Sequence, residues 1–575
     1  MISHLINFLF LRMIDIFNQH FCRKSLQQQI TLHMNKLLVF FFLLIGTVAK
    51  SQKTSADLLV YNAKIYTIDE QFTVDEAMVV TNGKIIVTGQ SNQLKKVFAA
   101  KATLDANGKF IYPGFIDAHA HFLGYGLDLQ IVDLTATKSW EEVLDRLKTY
   151  AITHKEGWLL GRGWDQNDWS TKQFPTREKL DELFPDRPVL LTRVDGHAAI
   201  ANEKAMKGIQ PGVKLTGGEV ETKDGKLTGI FIDNAIGLVS SRVPDETKQQ
   251  KRDALLNAQV KCFAVGLTTV DDCGLQYADV EMIEALQKSN QLKMRLYVML
   301  SDRGNNYDAI FKRGMIKTDR LNVRSFKVYV DGALGSRGAC LIEPYQDKPE
   351  SHGFLLSKIA HFDEVAAKIY QHGFQMCTHA IGDSGNRVML NTYAKYLNGK
   401  NDLRWRIEHA QVVNAKDFYL FGKNGIVPSV QPTHATSDMY WAADRLGKER
   451  VKGAYAYKQL LAQNGWIPLG TDFPVEDISP FKTFYAAAIR KDANGWPEGG
   501  YQMENALTRQ ETIRGMTIWA AKANFEEHEK GSLEKGKFAD FIILDGDLMQ
   551  MDAGKILQTQ VLKTYVNGEL VYERK

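Results

Sequence analysis

Cysteine is scarce in this 575-residue sequence, and the five present (Cys22, Cys262, Cys273, Cys340 and Cys377) are widely spread with no CxxC pair. That spacing excludes a disulfide scaffold and is the usage expected of buried free thiols. An excess of one charge is also missing: 71 basic residues face 67 acidic ones. Arg12, Arg23, Lys24, Lys36 and Lys50 stand against Asp15 alone in the first 51 residues, so the small net charge of +4 belongs to that leader and the remainder balances. No basic footprint for nucleic acid is left. There is no Walker loop, no GxGxxG and no GxSxG serine elbow, which removes nucleotide cofactors and serine hydrolysis. With 44% apolar and 24% charged residues, the composition is that of an ordinary globular protein with ample material for a core.

The N-terminal region carries one targeting signal. Met34-Asn-Lys36 precedes the apolar run Leu37–Ile45, and Gly46-Thr-Val-Ala49-Lys-Ser51 follows. A basic start, a short apolar core and small residues at an A-x-S site predict a secretory signal peptide over 34–51, with Gln52 as the first mature residue. The run is too short for a spanning helix, which needs about 20 residues. The expectation is an exported protein, periplasmic or secreted, with residues 1–51 as leader and translation starting at Met34.

Both ends of the mature chain are β-rich. Asp57–Thr67 alternates, Ala77–Thr81 and Lys84–Thr88 flank an Asn82-Gly83 turn, and Ala539–Asp545 and Leu562–Tyr572 have the same character. One small sandwich built from 52–110 and 526–575 is expected. Between them short apolar strands alternate with amphipathic helical stretches such as Phe362–His372 and Gly385–Leu397, the pattern of βα units on a parallel sheet. Eight strands are predicted: Phe110–Ile116, Gly266–Val270, Lys293–Met299, Ser325–Val330, Phe374–Thr378, Trp405–Glu408, Ile426–Val430 and Trp466–Gly470. The fold class is therefore α/β, a (β/α)8 TIM-like barrel over 111–124 and 251–525. The chain between the first two strands far exceeds a normal connection, so 125–250 is expected to be an inserted subdomain.

Active sites of such barrels gather at the C-terminal strand ends. There the sequence puts Asp117-Ala-His119-Ala-His121, then Lys327 before Asp331-Gly332, then His379, His409 and Asp472. Two residues apart on an extended segment, His119 and His121 point the same way and can grip one metal. Imidazole and carboxylate suit zinc, with manganese or iron as alternatives.

In these motifs the sequence resembles the metal-dependent amidohydrolase superfamily, in its amidohydrolase-3 branch that includes N-substituted formamide deformylases. The carriers are Pro113–His121, Asp195-Gly-His197, Lys327–Arg337, Thr378–Asp383, Ile407–Ala410, Ser429–Pro432, Gly470–Pro474 and Gly531–Asp540. One departure is Asp271, where relatives often have histidine, so no role is borrowed for it. The resemblance implies two divalent ions, His119, His121 and Asp472 on the more buried one and His379 and His409 on the other. Lys327 would bridge them as a carbamate formed with CO2, because an ammonium cannot ligate a cation. The plainer alternative for Lys327 is a lysine paired with a carboxylate such as Asp331. Asp472 is the expected catalytic acid and base.

The substrate class implied is a small amide, an N-formyl or N-acyl amine or a cyclic amide, cleaved at a non-peptide C–N bond by metal-activated water. His197, Arg337, His434, Trp164 and Asp165 are candidates for touching it. No nucleic acid and no stable membrane span are expected, and a homodimer is compatible with the sequence. Two alternatives stand beside this reading. One is a mononuclear deaminase-like site of His119, His121, His379 and Asp472, with His409 on substrate. The other is a binding protein on the same fold, which would be expected to lose ligands that are all present here.

Overall fold

Pro113 and Gly114 divide the chain between its two main layers. Pro113 has no N–H to continue a ladder, and the strand Phe110–Pro113 ends there before Phe115–Ala120 begins in another sheet. The first barrel strand is thus Phe115–Ala120, not the Phe110–Ile116 expected from apolar content; Phe110–Pro113 instead pairs antiparallel with Phe541–Leu544 from the far end of the chain. The structure, a computed structural model, describes Met34 and residues 53–397, 399 and 401–575. The expected signal peptide lies outside the described residues, apart from Met34. The chain divides into two units, Met1–Ser55 with Lys96–Ala99, and Ala56–Lys95 with Ala100–Lys575. The second unit carries the architecture below.

Two sheets contributed by both ends make the sandwich. In one, Ala77–Thr81 and Lys84–Gly89 pair around Asn82-Gly83, whose φ values of 51° and 73° suit a tight hairpin turn. The other holds Lys64–Tyr66, Phe110–Pro113, Phe541–Leu544, Val561–Val566 and Glu569–Glu573. Val60, Val80, Ile85, Ile111, Phe541 and Ile543 fill the shared core. Asp547 ties the ends together, accepting from Lys64 Nζ at 2.8 Å and from the Tyr66 and Tyr112 hydroxyls at 2.9 and 3.2 Å.

The barrel runs in parallel register from Phe115–Ala120 through Leu267–Leu275, Arg295–Ser301, Leu321–Tyr329, Gln375–Ala380 and Arg406–His409 to Val427–Ser429. An eighth segment closes it: Gly470 N donates to Val430 O at 3.0 Å and Ala118 N to Leu469 O at 3.2 Å. Between the first two strands lies a separate six-stranded sheet, from Val132–Asp133 to Lys226–Asp233, with its own buried cluster including Leu134, Leu147, Leu191 and Ile230. Cys262, Cys273 and Cys377 are buried free thiols and Cys340 is a half-buried one. Among the described residues no helix is long and apolar enough to cross a membrane.

Candidate metal centre

The rim of the barrel is built by backbone before any ligand is considered. Asp117 accepts from His119 N at 3.2 Å, Thr471 N at 2.9 Å and the Thr471 hydroxyl at 2.6 Å, which clamps the first strand to the closing segment. Gly470 makes that approach feasible, since a Cβ there would lie 2.5 Å from His119 N. Asp472 N then donates to His119 O at 2.8 Å. Two strand-end residues adopt left-handed backbone, His409 at φ 71° and Asp472 at φ 67°. Such conformations cost about 1–3 kcal/mol each for non-glycine residues and concentrate at functional sites.

Five of the six expected ligands converge through close mutual approaches. His121 Nε2 and His119 Nε2 lie 3.3 and 3.6 Å from Asp472 Oδ1, and His409 Nδ1 lies 4.0 Å from Asp472 Oδ2. Lys327 Nζ is 2.9 Å from His119 Nε2. His379 lies beside the group, its ring edge-on to that of His409 at 4.6 Å, with its Nε2 4.0 Å from Asp331 Oδ1. Two triads have all their ligand atoms within 4.8 Å of one another, His119 with His121 and Asp472, and His409 with His434 and Asp472. His434, expected only to line the pocket, is thus a member of the centre.

The imidazoles are held from behind. His119 Nδ1 meets Glu408 Oε2 at 2.6 Å, His121 Nδ1 meets Cys273 O at 2.9 Å, and His434 Nδ1 meets Glu476 Oε1 at 3.0 Å. Each contact leaves Nε2 turned to the centre, the arrangement that orients metal-binding histidines. Asp472 Oδ1, His379 Nε2 and His409 Nδ1 are buried and make no hydrogen bond. Orphaned buried polar atoms are costly, and a carboxylate oxygen with two imidazole nitrogens is a donor set that suits a divalent cation. The residues present therefore fit a metal.

Electrostatics agree. Burial, then the Lys327 charge, press the His119 pKa down to about 4. Burial, then neighbouring imidazoles, hold His379 and His409 well below the usual histidine value. All three stay neutral with a lone pair to offer. Burial opposes charge on His434, but Asp472 and Glu476 at its two nitrogens outweigh it and raise its pKa well above the ordinary one. Asp472 is pushed upward by burial yet held well below the carboxylate range by the imidazoles of His121 and His434.

Lys327 is 1% exposed and does not pair with Asp331, whose carboxylate instead accepts from Cys340 N, Ile381 N and Gly382 N at 2.8 to 3.0 Å. Asp271, the departure from the family pattern, joins a structural network with Arg406 Nη1 at 2.9 Å and Asn524 Nδ2 at 2.6 Å.

The remaining candidates divide. His197 reaches in from the inserted sheet, its ring 4.9 Å from that of His379 and its Nδ1 2.6 Å from Asp233 Oδ1. Trp164 is corrected: it is fully buried in the core of the inserted sheet with Nε1 bonded to Leu191 O, because its strand pairs it inward. Asp165 binds Arg193 and caps the turn that follows by accepting from Asn167 N at 2.8 Å. Arg337 pairs with Asp347 at 2.7 Å.

Comparison with known proteins agrees with this geometry. The profile of the amidohydrolase family matches residues 102–572. The chain is 34% identical over 543 residues to Protein LONG AFTER FAR-RED 3 of Arabidopsis thaliana, covering 90% of this chain and 92% of that protein. It is 26% identical over 544 residues to N-substituted formamide deformylase of Arthrobacter pascens, covering 90% and 98%. An uncharacterized metal-dependent hydrolase of Pyrococcus horikoshii OT3 superposes with a TM-score of 0.70 at 27% identity, over 86% of this chain and 99% of that one. The protein is a member of the amidohydrolase family.

Proposed function

We propose that this protein hydrolyses a non-peptide C–N bond in a small amide, an N-formyl or N-acyl amine or a cyclic amide. The observation that carries the reading is the convergence of His119, His121 and Asp472, with His409 Nδ1 4.0 Å from the same carboxylate, at the mouth of a barrel. His119, His121 and Asp472 would hold one divalent ion, zinc first with manganese or iron as alternatives; His379 and His409 would hold a second. Lys327 would join them as its carbamate. Burial disfavours its charge while Cys273, Tyr329, Glu408 and Asp472 favour it, so the unmodified side chain is a cation and cannot ligate. A divalent ion at this centre supplies Lewis acidity toward an acyl oxygen and toward water at neutral pH.

The chain's own groups account for the protons. Hydrolysis forms a C–O bond, breaks the C–N bond and moves one proton from water to the leaving nitrogen. Asp472 is the carboxylate that would accept and return it. His434, 3.1 Å from Asp472 Oδ2 and 3.0 Å from Glu476, extends a proton path outward. His197, fixed by Asp233, would contact the substrate from the inserted sheet.

A mononuclear, deaminase-like version, with one ion on His119, His121, His379 and Asp472 and with His409 on substrate, is the second reading, favoured by one feature: His119, His121 and Asp472 by themselves bring three ligand atoms within 4.8 Å of one another. Metal analysis and mass spectrometry of the protein decide between them. Two ions per chain with a carboxylated Lys327 match the first version; one ion with unmodified Lys327 matches the second. Chelation is expected to abolish hydrolysis of a formamide, acyl-amine and imide panel and zinc or manganese to restore it. Activity that survives complete metal removal would overturn both. Export is proposed as well, and sequencing of exported protein should begin at Gln52.

A further inference from the structure

A concavity opens where the inserted sheet meets the barrel loops, lined by residues other than those of the ligand triads. It encloses about 740 Å³, within the range of small-molecule sites. Four cations line it, Lys172, Arg337, Arg445 and Lys448, against two carboxylates, Asp347 and Asp444. Internal pairing does not neutralise it. Arg337 Nη2 lies 2.7 Å from Asp347 Oδ2, and Arg445 Nη1 bonds the same oxygen, so two guanidiniums share one carboxylate. Lys172 and Lys448 add charge from exposed positions.

Two donors in this wall have nothing to donate to. Arg445 is 5% exposed and its Nε is unpartnered; Asn167 is 6% exposed and its Nδ2 is unpartnered. Buried donors without acceptors are unfavourable, and here they sit among excess positive charge. Burial, then repulsion from Arg337, lowers the Arg445 pKa, the mark of a crowded cationic wall. An oxyanion relieves both conditions: it offers several acceptor oxygens and a negative charge, and guanidinium binds it through two parallel hydrogen bonds.

We infer that this pocket is a binding site for the oxyanion of a small organic acid, a carboxylate or a phosphate, formed jointly by the inserted subdomain and the barrel loops. None of the residues that line it belongs to the ligand triads.

Calorimetric titration of the full, metal-loaded protein at low ionic strength tests this, with inorganic phosphate in one arm and a weakly chelating dicarboxylate, succinate, in the other. Saturable binding is expected in at least one arm, and the responding arm identifies phosphate or carboxylate. It should weaken about tenfold or more in the double variant Lys172→Gln with Lys448→Gln, and again as salt is raised. Arg337→Gln should weaken it further. Both lysines are exposed, so their variant keeps the test intact even if Arg337→Gln fails to fold. Absence of saturable binding in both arms overturns the proposal. Equal affinity in the wild type and the lysine variant does so too, because the anion would then be bound elsewhere, at the metal centre.

Discussion

Glu408 Oε2 stands 2.6 Å from Nδ1 of His119, with both side chains completely enclosed. The two come from opposite parts of the barrel order, the sixth strand and the first, yet they act as one unit. The carboxylate fixes which nitrogen of His119 carries the proton and aims the other at Asp472. Replacing Glu408 by Gln removes the charge behind the ligand. Metal affinity, measured against a competing chelator, should fall by roughly 10- to 100-fold, the cost typical of losing such a partner. Unchanged affinity would separate Glu408 from the centre.

In the proposed reaction Asp472 would carry the proton as well as hold metal. Asp472→Asn keeps an oxygen ligand and removes the proton acceptor. Turnover should drop by roughly 10²- to 10⁴-fold, with most of the metal retained by direct analysis. Near-normal turnover at full metal occupancy would strip Asp472 of its role.

Gly332 and Gly338 enclose Asp233. A Cβ at Gly332 would lie 2.3 Å from Asp233 Oδ2, and one at Gly338 2.2 Å from the same atom. Gly332→Ala must displace the carboxylate that orients His197, and overpacking of this kind costs about 1–3 kcal/mol. Thermal unfolding should report that loss. His197→Gln should raise KM, and combining it with Gly332→Ala should add little to the effect on KM, since both act through one imidazole. Fully additive effects on KM would uncouple them.

Asp547 couples stability to acid pH. Burial raises its pKa, but Lys64 and the Tyr66 hydroxyl outweigh that and hold it below its ordinary 3.8. A depressed carboxylate contributes stability that is fully present above its unfolded value and is lost as pH falls through the lower native one. The melting temperature of the wild type should therefore fall more steeply below pH 3.8 than that of Asp547→Asn, and the curves should run parallel at neutral pH. Parallel curves throughout would show the pairing to be inconsequential.

Much of the site was legible because barrels bring strand ends to one rim, so ligand-type residues at His119, His121, Lys327, His379, His409 and Asp472 implied a meeting point. The first strand was misjudged because apolar content runs straight across Pro113-Gly114, while sheet membership changes there. His434 was underestimated: it follows the seventh strand within a short helix, where spacing does not reveal that its Nε2 meets Asp472. Trp164 was overestimated, since an aromatic-rich loop reads alike whether it faces a pocket or a core.

Periodicity, strand-end chemistry and the leader composition depend on neighbours along the chain, and the sequence alone determined them: an α/β barrel, β-rich ends and a set of metal-type ligands. Which carboxylate backs which histidine, whether Lys327 meets Asp331 and where positive charge accumulates depend on distances between segments hundreds of residues apart. Those were decided only by the tertiary structure, because a hydrogen bond or ion pair changes from strong to negligible over a few ångströms that no local pattern encodes.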